Sequence, residues 1–454
     1  MANLMRKCLG VLSVLITVDA LWAALNSPAY AIPSFTRQTG QACSSCHTVF
    51  PELTPFGRQF KLRGYTLGNG LADKEFPYSL PLSAALVVSR TSLADTKASD
   101  PAEDFPRINQ TIAQTAAVYY GGKITDKSGA FVQYNYDGIE RQWAIEMADI
   151  RYADSTMIGD RELLWGLTLN NAPTTQDVWN TMQMWAFPHL PDAGVMSPVN
   201  TLLDMALAQQ VKGLGLYGYW NNALYAELSL YRTNKSGLLR PLSAGVPTTT
   251  VVDNYAPYWH LMYNRESGAH NFAAGIHGMT ADIFPDFNDL SGATNRFRDL
   301  ALDAQYQYIA DIHIFSTQAS WIREKRDWNA SFPMMLASNR SDTLDVFKMN
   351  FHYWYERRLG GGLGYFSTTG DADTLAYSGM AMTESAMSNA TGRPDIKGWT
   401  VELDWLPLEG SQNLKLGARY TAYTRFNGAS GDYNGFGRNA SDNNATFVYG
   451  WLLF

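Results

Sequence analysis

The chain has 454 residues, 35 Lys plus Arg against 42 Asp plus Glu, 46% hydrophobic and 13% aromatic residues, and only three cysteines. So few thiols exclude a disulfide-stapled fold, and an acidic body argues against nucleic acid as a partner. The net charge of −7 is uneven: residues 1–31 carry +1, residues 32–72 carry +3 and residues 73–454 carry −11.

Residues 1–31 read as a secretory signal, with basic Arg6 and Lys7, an apolar stretch from Cys8 to Val18, and Ala29-Tyr30-Ala31 as a small-x-small cleavage site. An uncleaved anchor is the rival, but the stretch is too short to span a bilayer and Asp19 interrupts it. Cleavage removes Cys8 and leaves Cys43 and Cys46 as the thiols of the mature chain. No later run has the length and apolarity of a membrane helix, so the exported chain is expected either in the periplasm or as an outer-membrane barrel.

Residues 32–72 are expected to be a haem c segment. Cys43-Ser44-Ser45-Cys46-His47 has the c-type attachment spacing: two thiols add to the haem vinyl groups, and the next imidazole reaches the iron. The cofactor expected is one covalent haem c, bound by Cys43 and Cys46, with His47 as its metal ligand. A redox dithiol would want a thioredoxin-like βαβ pattern, and zinc would want two further ligands nearby. Thr48 to Glu146 contains neither His nor Met. The sixth iron position therefore falls to the distant body of the chain, to Lys61, Tyr65 or the mature α-amine, or to water. About 40 residues are also too few to bury a haem alone, so the pocket should depend on the rest of the chain.

Around the motif run Ala31-Ile32-Pro33-Ser34-Phe35-Thr36-Arg37-Gln38-Thr39-Gly40 and Thr48-Val49-Phe50-Pro51-Glu52-Leu53-Thr54-Pro55-Phe56-Gly57-Arg58-Gln59-Phe60-Lys61. This closely resembles the N-terminus of the fused monohaem cytochrome c–porins, outer-membrane iron oxidases of iron-oxidising bacteria. The likeness covers residues 31–67, with Thr36 where the family carries Ala. It implies an Fe(II):cytochrome c type oxidoreductase that takes single electrons from extracellular Fe(II) and passes them through haem to a periplasmic carrier such as a soluble cytochrome. The location implied is the outer membrane, with the haem segment entering from the periplasmic side.

After a linker at 73–79, residues 80–454 alternate as half-buried strands do. Leu414, Leu416, Ala418, Tyr420 and Ala422 oppose Lys415, Gly417, Arg419 and Thr421. Trp399, Val401, Leu403 and Trp405 oppose Thr400, Glu402 and Asp404; Leu224, Ala226, Leu228 and Leu230 oppose Glu227 and Ser229. An apolar face outside and a charged face inside describe a membrane barrel rather than a soluble sandwich. The expected fold is all-β, an outer-membrane antiparallel β-barrel of about sixteen strands whose lumen the haem segment plugs. Strands are expected to begin near residues 80, 112, 129, 142, 161, 206, 223, 256, 268, 297, 311, 343, 360, 397, 412 and 444. Short turns at Asn221-Asn222, Arg265–Ala269, Arg357–Leu359 and Leu408–Ser411 alternate with long links at 91–111, 171–205, 233–255, 282–296, 324–342, 370–396 and 428–443, as periplasmic turns and extracellular loops do. The link at 138–141 is short where that rule wants a long one. Phe447, Tyr449, Trp451 and Leu453 before terminal Phe454 read as a closing strand, with the stronger set offset by one from the usual count.

The +3 segment should dock among inward Asp and Glu, and Arg37, Arg58 and Arg63 are candidates to pair with haem propionates or simply to line the lumen. Loop carboxylates Asp282, Asp286 and Asp289 are hard oxygen ligands that could gather Fe(II). His260 with Met262, His277 with Met279, and His352 should face the lumen as polar lining or as a distal haem ligand. Two other functions stay open: a haem-plugged porin whose output is transport or sensing, and a conduit for a different donor or acceptor.

Overall fold

A computed structural model describes residues 33–68, 81–96, 104–175, 177–181, 189–195, 197, 199–233, 235–377, 384–408 and 412–454. The expected signal peptide, the mature α-amine at Ile32 and the linker lie outside these residues. Sixteen strands follow in chain order: β1 (Leu82–Leu93), β2 (Thr111–Thr125), β3 (Ser128–Asp137), β4 (Gln142–Ile158), β5 (Arg161–Asn170), β6 (Lys212–Trp220), β7 (Leu224–Arg232) and β8 (Ala256–Ser267). They continue as β9 (His270–Ile283), β10 (Asn295–Ile309), β11 (His313–Asp327), β12 (Ser341–Tyr355), β13 (Leu359–Gly370), β14 (Ile396–Trp405), β15 (Leu414–Arg425) and β16 (Ala445–Leu453). Each pairs antiparallel with its neighbours in sequence, and β1 pairs with β16, so the barrel is closed. Closure leaves no open sheet edge, which a lipid-exposed sheet requires.

The expected alternation holds residue by residue. Leu228 and Leu403 stand 61% and 67% exposed, while Glu227, Ser229, Glu402 and Asp404 are buried inside. Such an outward apolar band belongs in lipid, because exposed Leu, Val and Trp around a whole barrel would aggregate in water. The chain is a porin-like outer-membrane barrel. Among the described residues no helix is long and apolar enough to cross a membrane.

Three details depart from the sequence reading. β6 begins at Lys212 rather than near 206, because the preceding chain turns into the lumen at 202–206. β8 runs through Ser267, so its turn to β9 is only 268–269 and Arg265 stays on the strand. The link at 138–141 is indeed short, yet the strand order is undisturbed; the rim there is covered by the 233–255 loop, whose Ala244 carbonyl accepts a bond from Ile145 N (2.8 Å).

The N-terminal segment folds into three short helices at the short-turn mouth. α1 (Pro33–Thr39) ends on Gly40, whose φ of +67° closes the turn. α2 (Cys43–Cys46) carries the motif, and α3 (Pro55–Leu62) starts where Thr54 accepts a bond from Gly57 N (3.2 Å) with proline in the first turn. Gly57 lies against the Cys46 carbonyl and Leu53, leaving no room for a Cβ, so α2 and α3 pack closely only with glycine there.

Candidate functional site

The helices of this plug place the motif on one wall of a mainly apolar cavity, lined by Cys43, Cys46 and His47 together with Phe35, Phe50 and Phe60. That lining suits a flat apolar cofactor. His47 Nδ1 faces the Pro51 carbonyl at 3.3 Å. With the proton held on Nδ1, Nε2 keeps its lone pair for a metal. Burial lowers the His47 pKa to about 4, so the imidazole is neutral, as ligation requires. Burial also pushes the Cys46 thiol up to about 12, with the neighbouring Cys43 adding to it. The motif edge faces the short-turn mouth: Cys43 Sγ approaches Asn413 (3.9 Å) beside β15, and Arg357 between β12 and β13 donates to the Ser44 carbonyl (3.5 Å).

The barrel completes the cavity with Phe131 from β3 and Met147 from β4, while Lys61 and Tyr65 enter from the plug. Lys61 Nζ is bonded to the Thr175 carbonyl, and burial, aided by Arg151, lowers its pKa to about 8. Tyr65 donates to Asp149 (2.6 Å), and burial with that carboxylate holds its phenol well above the ordinary range. Both candidates from the plug are thus engaged elsewhere. Met147, 2% exposed, is the thioether on the lining. It is the first Met or His after the motif, and singling it out required knowing that β4 turns it inward.

Docking is aromatic more than ionic. Phe50, Phe60 and Tyr65 pack with Tyr119, Phe447 and Trp451 of the wall in one buried cluster, and the Phe50 and Trp451 rings meet edge-on at 4.8 Å. The offset at the C-terminus is explained: the stronger aromatic set of β16 faces the plug, and Val448 and Phe454 face outward. Of the arginines, none lines the cavity. Arg37 donates to the Leu82 carbonyl (2.6 Å), Arg58 to Gln305 (3.2 Å) and Gln307 (2.8 Å), and Arg63 pairs with Glu162 (2.8 Å), so they clamp the plug to the barrel. Asp282 pairs with Arg296 (2.8 Å), while Asp286 and Asp289 cap their own loop turns, so these three do not form a cation site.

Above the plug, the loop after β5 folds inward. The Trp179 carbonyl accepts from Gln305 (2.6 Å) and Gln318 (3.0 Å), and Asn180 donates to Pro51 (3.1 Å). Beyond it, toward the long-loop side, lies a wider cavity lined by Asp192, Asp204, Lys348 and Arg419 among others. His260, His277 and His352 face inward as expected, but none lines the motif cavity. His260 and His277 stand opposite each other on β8 and β9 with rings stacked at 3.5 Å; His277 also bonds Asp303 (2.9 Å) and Tyr258 (2.8 Å). His352 instead bonds Glu52 of the plug at 2.7 Å, with His189 close by. Burial opposes ionisation of Glu52, but the two histidines outweigh it and hold the carboxyl well below its usual range.

No protein-family model and no curated protein matches the sequence. Among solved structures, the chain is similar to Salmonella typhi OmpF in complex with daunomycin (11% identity, TM-score 0.46, covering 82% of this chain and 97% of that one). It is likewise similar to the outer-membrane channel DcaP of Acinetobacter baumannii (11%, 0.46, 82% and 96%) and to a loop-deleted OmpT of Vibrio cholerae (10%, 0.43, 82% and 98%).

Proposed function

We propose that this chain is a fused cytochrome–porin, in which haem c bound to Cys43 and Cys46 accepts single electrons from extracellular Fe(II) and passes them to a periplasmic carrier. One observation carries the reading: the complete attachment motif borders an apolar cavity that the plug and the barrel wall build together. The residues fit the group. Cys43 and Cys46 would hold it, His47 would ligate its iron, and Met147 offers the thioether for the sixth position. Bound there, it supplies one-electron chemistry. The protein's part is to exclude water with Phe35, Phe50 and Phe60, to keep His47 neutral, and to hold the motif edge at the periplasmic mouth.

The resemblance over residues 31–67 supports Fe(II) as the donor. Oxidation at the long-loop side has a chemical advantage, since Fe(III) precipitates near neutral pH and would otherwise form inside the cell. A second reading, a haem-plugged porin with transport or sensing as output, is favoured by the porin-like barrel and the wide polar cavity on its long-loop side. The two separate experimentally. A conduit reduces its haem when intact cells receive Fe(II) on a chelator too large for ordinary porins, and conducts almost no ions in a planar bilayer. A porin conducts, and its haem ignores the excluded donor.

A further inference from the structure

We infer that Glu52, His189 and His352 form a divalent-metal site that receives Fe(II) as substrate beside the haem segment. The inference rests on the Fe(II) reading above for its substrate and on the side-chain geometry for the site itself. The ligand atoms of the three residues all lie within 4.8 Å of one another. Glu52 Oε1 stands 2.7 Å from His352 Nδ1 and 3.7 Å from His189 Nε2. Two imidazoles and one carboxylate, with further positions left open, are the donor set that suits Fe(II).

An ordinary plug-to-wall clamp needs only the Glu52–His352 pair. It does not explain His189, whose side chain is 9% exposed and whose two ring nitrogens make no hydrogen bond. A contact of 3.7 Å to Glu52 is too long for a hydrogen bond, and a metal held by Glu52 and His352 would satisfy the His189 ring. The other trio, His260, His277 and Asp303, is less suited: His277 is already bonded through both nitrogens.

The surroundings favour a dication. Glu402 and Asp404 of β14 lie near Lys415, which stands 3.2 Å from Asp404 and 3.8 Å from Glu402. With Glu52 this leaves three carboxylates against two cations, Lys415 and Arg419. Access also fits, because His189 lines a partly polar cavity, and Pro191 borders both this cavity and the wide one on the long-loop side. Thr48 donates to Glu52 Oε2 (3.2 Å), and His47 bridges to Leu53, so the carboxylate and the haem-ligating imidazole belong to one closed turn. An Fe(II) held there loses one electron to the ferric haem and leaves as Fe(III). No covalent bond to the protein forms or breaks, and no other oxidant is needed.

The test uses the full-length haem-loaded protein in detergent. Equilibrium dialysis with Co(II), a redox-quiet probe, is run beside anaerobic Fe(II) titration of haem reduction. His352→Ala removes a ligand and the clamp together; His189→Ala removes a ligand and leaves the clamp. In both, Co(II) affinity is expected to fall at least about tenfold, with the Fe(II) concentration for half-maximal reduction rate rising by a similar factor. A small organic reductant should reduce all three proteins equally. Unchanged Co(II) affinity and Fe(II) dependence in His189→Ala would overturn the site. Failure of the parent reading looks different: Fe(II) then leaves even the wild-type haem oxidised, whatever Co(II) does.

Discussion

The two sides of the lumen obey the same alternation and carry opposite chemistry. Where β16 and β1 to β4 face the plug, the inward residues include Phe447, Trp451, Tyr119, Phe131 and Met147; across the lumen, β8 to β12 turn His260, His277, Asp303, Gln305, Gln318 and His352 inward. A barrel requires only that inward and outward positions alternate. What fills the inward set depends on what covers it. Aromatic rings serve where the plug presents rings of its own, and amides, imidazoles and carboxylates serve where the plug and the inward loop present carbonyls and polar side chains to be bonded. An inner wall this aromatic is therefore a record of its plug.

The largest break in that comparison comes from the aromatic side. Trp451→Ala removes the ring against Phe50 and should destabilise plug docking by about 3–5 kcal/mol, read as faster proteolysis within residues 33–68 and a perturbed haem spectrum. Heat-modifiable gel mobility, which reports the barrel, should persist. Next, Leu228→Lys puts a charge on the lipid face and should cost about 2–4 kcal/mol of barrel stability if it sits at the bilayer midplane. Ser229→Ala, one residue on and facing inward, removes the 2.7 Å bond that Ser229 donates to buried Glu227 and should cost about 1–3 kcal/mol of barrel stability in urea.

Much of this was legible in the sequence because its signals are local. Two-residue alternation showed which side of β7, β14 and β15 meets lipid, and loop lengths separated the short-turn mouth from the long-loop one. The motif named Cys43, Cys46 and His47 by spacing alone. The partners brought in from elsewhere were not legible. Met147 and His189 come from segments about 100 and 142 positions beyond His47, and only barrel closure and the inward loop bring them to the plug. The arginines misled for the same reason: a positive residue near the motif suggests propionates, whereas Arg58 and Arg63 found Gln305, Gln307 and Glu162 on the wall.

A smaller effect sharpens the contrast through pH. Lys61 is buried with its pKa lowered to about 8, whereas a released plug restores the ordinary value near 10.5. Between these values the released state binds more protons than the docked one, so docking should strengthen as pH rises from 8 toward 10. Above 10 the trend reverses as the released Tyr65 ionises while the docked phenol does not. Protease release of the plug, measured across this range, should fall between pH 8 and 10 in the wild type and lose that fall in Lys61→Met. The smallest change expected is Arg63→Ala: its pair with Glu162 is over a quarter exposed on both sides, and its loss should cost no more than about 1 kcal/mol in the same assay.

The central claim is that the plug's haem is reduced directly by Fe(II). Purified full-length protein, carrying haem that survives denaturing gels and is absent from the double variant Cys43→Ala with Cys46→Ala, is titrated anaerobically with Fe(II) while the haem spectrum is followed. Reduction by one electron per Fe(II) is expected. Haem that stays oxidised under Fe(II), yet is reduced readily by a small organic donor, would contradict the claim and assign the barrel to another donor.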